Sequence, residues 1–175
     1  DKIIGENTDG IGLVNDLTDN LGINIQGKIV LVLGAGGATQ GILLPLLNNN
    51  PRRIMIANRT KSKAKKLKHK FAKYGTTCGF SLDEIKHEPV DIIINATSAS
   101  LDGFAPNIAS GAAKGAICYD LMYGKQTPFM SWAQENKAEM VIDGLGMLVE
   151  QAAAAFTFWT GKRPDTKKVL ERLRG

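Results

Sequence analysis

Lys28-Ile-Val-Leu-Val-Leu-Gly34-Ala35-Gly36-Gly37-Ala38-Thr39-Gln40-Gly41 is the stretch that decides the fold. An uninterrupted aliphatic run passes directly into a glycine cluster, and the cluster into Ile42-Leu43-Leu44-Pro45-Leu46-Leu47. Strand, tight turn and helix in that order aim a helix N-terminus at whatever lies against the turn. Its unpaired N–H groups and positive dipole end suit a pyrophosphate. Gly34 can turn the chain sharply off the strand, and Gly36 lets backbone N–H groups approach phosphate oxygens. Ala38 and Gly41 are small enough for the helix to sit close on the sheet. Thr39 stands where a third glycine is usual, and its short polar side chain is expected near the phosphate. An ordinary turn with no ligand would share these local features, so the surrounding sequence has to decide between them.

Further strand-like runs cover Arg53–Ala57, Thr76–Phe80, Val90–Ile94, Ala116–Asp120 and Glu139–Ile142, in addition to Ile29–Leu33. Helical patterns lie between them near Gly37–Asn48, Ser62–Lys73 and Phe129–Asn136. An earlier one runs from about Asp9 to Leu21, with Thr8 or Asp9 as its cap. Short apolar strands separated by helices imply a parallel sheet covered on both faces. With right-handed crossovers the expected fold is α/β: a doubly wound, mostly parallel, Rossmann-like sheet with C-terminal helices. Beyond Leu145 the alternation stops. Leu145, Leu148, Val149, Ala152, Ala153, Phe156 and Trp159 form a broad apolar face, Gly161 ends that helix and Pro164 begins a short basic one. The expected division is a dinucleotide-binding unit over 1–144 and a pair of helices over 145–175 that belongs to a second structural unit.

The 175 residues suffice for one domain with a full core and a small appendage, and the net charge is a modest +5. No apolar run approaches the length of a membrane span, and no secretory leader is visible. The chain starts at Asp1 inside a strand-like segment, Lys2-Ile3-Ile4-Gly5, as an excised fragment would. Cys78 and Cys118 sit in strand-like stretches without metal-ligand spacing, so buried thiols in a reducing cytoplasm are expected, and no metal. Seven lysines between Lys61 and Lys73 read mostly as a solvated helix face. Nucleic-acid binding would need interleaved aromatics or a recognition motif, and neither is present. His69 and His87 read as surface histidines.

The second strand ends in Asn58-Arg59-Thr60, where an NAD site normally carries an acidic residue for the ribose hydroxyls. No carboxylate stands there. An arginine with a hydroxyl neighbour, and Lys63 one turn on, fits a 2′-phosphate instead, because guanidinium can fork onto phosphate oxygens and stack on adenine. Arg59, Thr60 and Lys63 therefore point to NADP. Two more polar strand ends, Asn95-Ala96-Thr97-Ser98 and Tyr119-Asp120-Leu121-Met122-Tyr123, are expected to face the same crevice.

Five segments in one order carry a more specific signal: Gly5-Glu6-Asn7-Thr8-Asp9-Gly10-Ile11-Gly12, Gly34–Gly41, Asn58-Arg59-Thr60, Asn95-Ala96-Thr97-Ser98, and Asp143-Gly144-Leu145-Gly146-Met147-Leu148-Val149-Glu150-Gln151-Ala152. Together they resemble the shikimate dehydrogenase family across essentially the whole chain. The resemblance implies NADP-dependent reduction of 3-dehydroshikimate to shikimate, in aromatic amino-acid and chorismate biosynthesis, in the cytoplasm. It implies a catalytic, substrate-holding role for Asp9 and substrate contacts for Tyr123 and Gln151. Cofactor contacts are implied for Gly34, Ala35, Gly36, Gly37, Ala38, Asn58, Arg59, Thr60, Lys63, Leu121 and Gly144. Lys63 stands where an arginine is common, which keeps the charge but loses the fork and softens the preference for NADP.

The family's catalytic lysine and serine-rich substrate pocket belong to an N-terminal domain that no segment here matches, with residues 1–8 coming from the interdomain region. A lone aspartate is poorly matched to the proton step at neutral pH, so cofactor binding with little or no turnover is expected. In such enzymes the last helices pack on the substrate domain. Without it, Phe156, Trp159 and their neighbours are expected to self-associate, as a homodimer, or to leave the tail mobile. Two other readings stay open at this point: a quinate/shikimate dehydrogenase using NAD or NADP, and a non-catalytic dinucleotide-binding sensor, which would have no need of Asp9 and Gln151.

Overall fold

A computed structural model describes residues 5–86, 89–99 and 103–175, so the strand-like start at Lys2–Ile4 and His87 lie outside the described residues. Six strands, β1 (Ile29–Leu33), β2 (Arg53–Ala57), β3 (Thr77–Phe80), β4 (Ile92–Asn95), β5 (Ile117–Asp120) and β6 (Met140–Ile142), lie parallel in the order β3-β2-β1-β4-β5-β6. This is the doubly wound dinucleotide-binding order, reversing between β1 and β4. Leu33 pairs with Ala57 on one side and Asn95 on the other, and Asn95 with Asp120. Four strands therefore end level, and their carboxyl ends form one edge.

Alternation along the strands sorts the core into two layers. Val30, Val32, Ile54, Ile56, Ile92, Ile94, Tyr119 and Ile142 face α1 (Asp9–Asn15), α2 (Gly37–Asn48), α3 (Lys61–Phe71) and α5 (Leu145–Thr160). Leu31, Leu33, Met55, Ile93 and Cys118 face α4 (Pro128–Glu135) and the short turns around Leu82–Glu84 and Ser110–Ala112. With both faces covered, the strands can be continuous apolar runs, which is what the sequence carries.

Most boundaries fall within two residues of the expected ones, and the differences have local causes. The strand expected from Val90 starts at Ile92, because the Asp91 carboxylate accepts from Ile29 N at 2.7 Å and occupies that position. The single helix expected to Leu21 ends at Asn15 and continues as a π-helical turn over Asp16–Asn20. That wider turn buries Asp16 while Asp19 stays exposed. Pro164 does not begin the last helix: α6 (Thr166–Arg174) is capped by Asp165, whose side chain accepts from Lys168 N. The apolar face read along α5 divides. Met147, Val149, Ala153 and Ala154 are buried, whereas Phe156, Phe158 and Trp159 are exposed.

The first helix is held between two others at backbone distance. A Cβ built on Gly10 would stand 2.4 Å from Pro45 Cγ and 2.6 Å from the Gly41 carbonyl oxygen on α2. One on Gly12 would stand 2.7 Å from both Gln151 N and the Met147 oxygen on α5. Neither contact admits a methyl group without moving a helix. Gly12→Ala is therefore expected to cost about 1–3 kcal/mol of stability. Gly111→Ala, with open space around the added carbon, is expected to stay within about 0.5 kcal/mol of the parent. Urea denaturation followed by circular dichroism measures both.

Candidate functional site

The carboxyl edge of the sheet gathers most of the residues singled out in the sequence. Gly34 leaves β1 at φ +105°, a backbone conformation that side chains disfavour, and any Cβ there would lie 2.9 Å from the Ala96 oxygen. Gly36 caps α2, and nothing lies within 4 Å of a Cβ built on Gly36 or Gly37. No side chain caps this N-terminus and no acidic residue occupies its first turn. Gly36, Gly37 and Ala38 are exposed and Ala35 is half-buried. A helix end with open space in front, exposed N–H groups and no resident carboxylate fits a bound pyrophosphate. Thr39 departs from expectation. It is fully buried and its hydroxyl oxygen has no partner, so it faces the protein interior and not a phosphate.

At the end of β2, Asn58 is half-buried and its side chain donates to the Thr60 carbonyl at 3.0 Å, closing the loop that carries Arg59. The side chains of Arg59 and Lys63 are exposed, with no hydrogen-bond or ion-pair partner among the described residues. Lys61 is committed elsewhere, paired with Glu84. That pairing, with hydrogen bonds from Ser81, holds the Glu84 carboxyl down at about 2. The lysine run therefore divides: Lys61 is neutralised, Lys70 donates to Gln40 at 3.1 Å, and Lys63 remains beside Arg59.

Asp9 opens α1 and is half-buried. Its backbone N donates to Asn7 Oδ1 at 2.9 Å and its Oδ2 accepts from Asn7 Nδ2 at 3.3 Å, so Asn7 orients it. Both side chains sit beside the second turn of α2, where a Cβ on Gly41 would lie 3.1 Å from Asn7 Oδ1 and 3.3 Å from Asp9 Oδ2. Gln151 is half-buried on α5, its backbone against Gly12 three residues along α1 from Asp9. Gly144 is buried against the end of β5, where its N donates to the Met122 carbonyl at 2.8 Å and Leu121 is its neighbour. Tyr123 lies on the exposed loop that follows.

The polar ends of β4 and β5 only partly face the crevice. Asn95 and Asp120 are buried and spent on structure. Asn95 Nδ2 donates to Asp120 Oδ1 at 3.1 Å, Met122 N donates to the same oxygen at 3.1 Å, and the Thr127 hydroxyl donates to Oδ2 at 2.5 Å. Thr127 in turn caps α4. Burial pushes the Asp120 carboxyl above the ordinary aspartate range, against the pull of those three donors. Asn95 Oδ1 takes the Thr97 hydroxyl at 2.7 Å, which shapes the loop beneath Gly34.

The sequence reading missed a second buried polar group, Asp16 with Tyr119 and Glu150 with Arg163. Its signal was present: two acidic residues inside apolar helical runs, at positions whose neighbours are core. Among the described residues, no cluster of three or more His, Cys, Asp or Glu could hold a metal ion, and no helix is long and apolar enough to cross a membrane.

Residues 16–109 match the family described as shikimate / quinate 5-dehydrogenase, and residues 144–174 match the shikimate 5′-dehydrogenase C-terminal domain. A protein of Ruthia magnifica named shikimate dehydrogenase (NADP(+)) is 70% identical over 174 residues, spanning 99% of this chain and 65% of its own length. This chain thus spans about two thirds of that relative. In structure, the chain is similar to an Ael1 enzyme from Pseudomonas putida, with a TM-score of 0.92 and 43% identity over 97% of this chain and 63% of the other. It is also similar to a shikimate dehydrogenase in complex with NADP+, with a TM-score of 0.80 and 33% identity over 94% of this chain and 59% of the other.

If the glycine turn is an anion cradle, Gly36→Asp separates that role from folding. Aspartate is a good N-cap and opposes the dipole, so stability should be unchanged or rise by about 0.3–1 kcal/mol. Binding of a dinucleotide phosphate, measured by calorimetric titration, should fall by about tenfold or more through charge repulsion.

Proposed function

The chain belongs to the shikimate/quinate 5-dehydrogenase family, and from that premise we propose that it is the cofactor-holding part of an NADP-dependent shikimate dehydrogenase. The whole enzyme reduces 3-dehydroshikimate to shikimate in the cytoplasm. The observation that carries the reading is the pair of unpartnered cations, Arg59 and Lys63, at a strand end with no carboxylate, one strand away from an uncapped helix N-terminus. The name of the 70%-identical relative supports both the cofactor and the substrate.

In this reading the backbone N–H groups of Gly36 to Ala38 hold the pyrophosphate, while Arg59, Thr60 and Lys63 hold the 2′-phosphate. Asn58 fixes the loop between them. Leu121 and Gly144 border the far half of the dinucleotide at the ends of β5 and β6. NADPH, when bound, supplies the hydride that the reduction consumes. Asp9 accepts hydrogen bonds from the hydroxyls of the substrate ring, with Asn7 holding its carboxylate in place. Tyr123 and Gln151 complete the substrate contacts from this side of the cleft. The acid/base lysine and the rest of the pocket come from the part of the enzyme outside this chain, so this chain alone binds cofactor with little or no turnover. The exposed end of α5 with α6 is then the face on which that part packs. Phe156, Trp159, Val169 and Leu173 are the side chains it would cover, and in its absence they are free to join two copies.

The cofactor assignment is tested by Arg59→Ala. Removing a guanidinium from a phosphate should lower NADPH affinity about 10- to 100-fold while leaving NADH affinity within about threefold. Lys61→Ala, whose ammonium already serves Glu84, should change neither by more than about threefold. Equal losses for NADPH and NADH in Arg59→Ala would contradict a 2′-phosphate site.

A further inference from the structure

Between α5 and the sheet, polar side chains meet in the core. Asp16, Tyr119 and Glu150 are each no more than 1% exposed. The Tyr119 hydroxyl donates to Asp16 Oδ2 at 2.6 Å and accepts from Met147 N at 3.2 Å. Asn20 Nδ2 donates to Asp16 Oδ1 at 2.9 Å and to Glu150 Oε1 at 3.3 Å, and Arg163 donates to Glu150 Oε2 at 3.0 Å. Gly146 leaves the space for this arrangement: a Cβ there would fall 1.9 Å from Asp16 Oδ1.

The position of Met147 gives the cluster its meaning. It lies in the first turn of α5, where N–H groups lack intrahelical partners. The cap residue is Gly144, which has no side chain to serve them. Tyr119 reaches up from β5 and accepts the Met147 N–H in place of a cap, while Asp16 orients its hydroxyl. Burial, with Asp16 beside it, raises the pKa of the phenol, so the hydroxyl stays protonated and donates to Asp16. The start of α5 is thereby fixed from below, and from the side by the Gly144 N–H on the Met122 carbonyl at 2.8 Å.

That turn stands at the crevice, on the side away from Arg59. With the adenosine over β2 and the pyrophosphate on α2, the remaining half of a dinucleotide lies over the ends of β4, β5 and β6. We infer that Asp16 and Tyr119 are positioning residues for the nicotinamide half of the cofactor, acting through the first turn of α5. The inference rests on the dinucleotide reading above. Removing the phenol oxygen frees the Met147 N–H and lets the Gly144–Met147 backbone and Gln151 shift, without touching the phosphate cradle or Arg59.

The experiment titrates this chain, by calorimetry, with NADPH and with 2′-phospho-ADP-ribose, which keeps both phosphate sites but lacks nicotinamide. Parent protein should bind both, NADPH more tightly. Tyr119→Phe should lose about three- to tenfold in NADPH affinity, the worth of one neutral hydrogen bond, while 2′-phospho-ADP-ribose stays within about twofold. Asp16→Asn, which still offers Tyr119 an acceptor, should keep most of the advantage of NADPH. Should Tyr119→Phe fail to fold around a buried carboxylate left with Asn20 as its only side-chain donor, the double variant Tyr119→Phe/Asp16→Asn removes the Asp16 charge and should show the same selective loss. Equal changes for both ligands, no change in the folded variant, or parent protein that binds NADPH no more tightly than the fragment would overturn the inference. Parent protein that binds neither ligand would overturn the dinucleotide reading itself.

Discussion

Packing of α1 between α2 and α5 at backbone distance is the constraint on which the site depends. Helix axes that approach this closely cannot tolerate a Cβ at the crossing, and Gly10 and Gly12 are placed two residues apart so that α1 meets a different neighbour at each. One end of α1 presents Asp9 beside the glycine-turn helix, and just past the other end Asp16 enters the notch at Gly146. The short segment thus links the N-terminal turns of α2 to the start of α5. The spacing Asp9-Gly10-Ile11-Gly12 has a mechanical meaning: one half-buried carboxylate followed by two contact points.

Polar residues along the carboxyl edge divide into those consumed by the fold and those left to a ligand. Asn95, Asp120 and Thr127 satisfy one another in the core and join β4, β5 and α4. Such a buried network is costly to disturb, because each lost partner leaves another group unsatisfied. Arg59, Lys63 and the first N–H groups of α2 are unspent and exposed. The contrast between Lys61, neutralised by Glu84, and Lys63 in the same helix turn shows why charge counting alone would misjudge where an anion binds.

Much of the fold was legible because local and global signals agree. The run Ile29–Leu33 is uniformly apolar because both faces of the sheet are covered, and Gly34 follows because the turn needs a positive φ. The glycine turn could be read for the same reason, since a positive φ at its first residue and a helix start with open space before it both call for residues without bulky side chains. What could not be read depends on contacts distant in sequence. Asp120 looks like a crevice carboxylate until Asn95 and Thr127 are found on it, and Thr39 looks like a phosphate contact until its burial is seen. Asp16 and Glu150 stand out as acidic residues inside helices packed on the core, but the link from Asp16 to Tyr119 spans 103 residues and no local pattern pairs the two. The division of the α5 face, with Met147, Val149, Ala153 and Ala154 buried and Phe156, Phe158 and Trp159 exposed, likewise follows from how α1 and α6 dock on it.

In the function proposed above, one crevice, running from Arg59 past the α2 N-terminus to the start of α5, takes a single NADP molecule. Backbone amide chemical shifts of the isotope-labelled chain, followed during an NADPH titration, test it most directly. Shifts that saturate together at Gly36–Ala38, Arg59–Thr60, Leu121 and Gly144, with one dissociation constant, are the expected result. Shifts confined to the outer lysines of α3, or to the groove between α5 and α6, with Gly36–Ala38 unmoved, would contradict it.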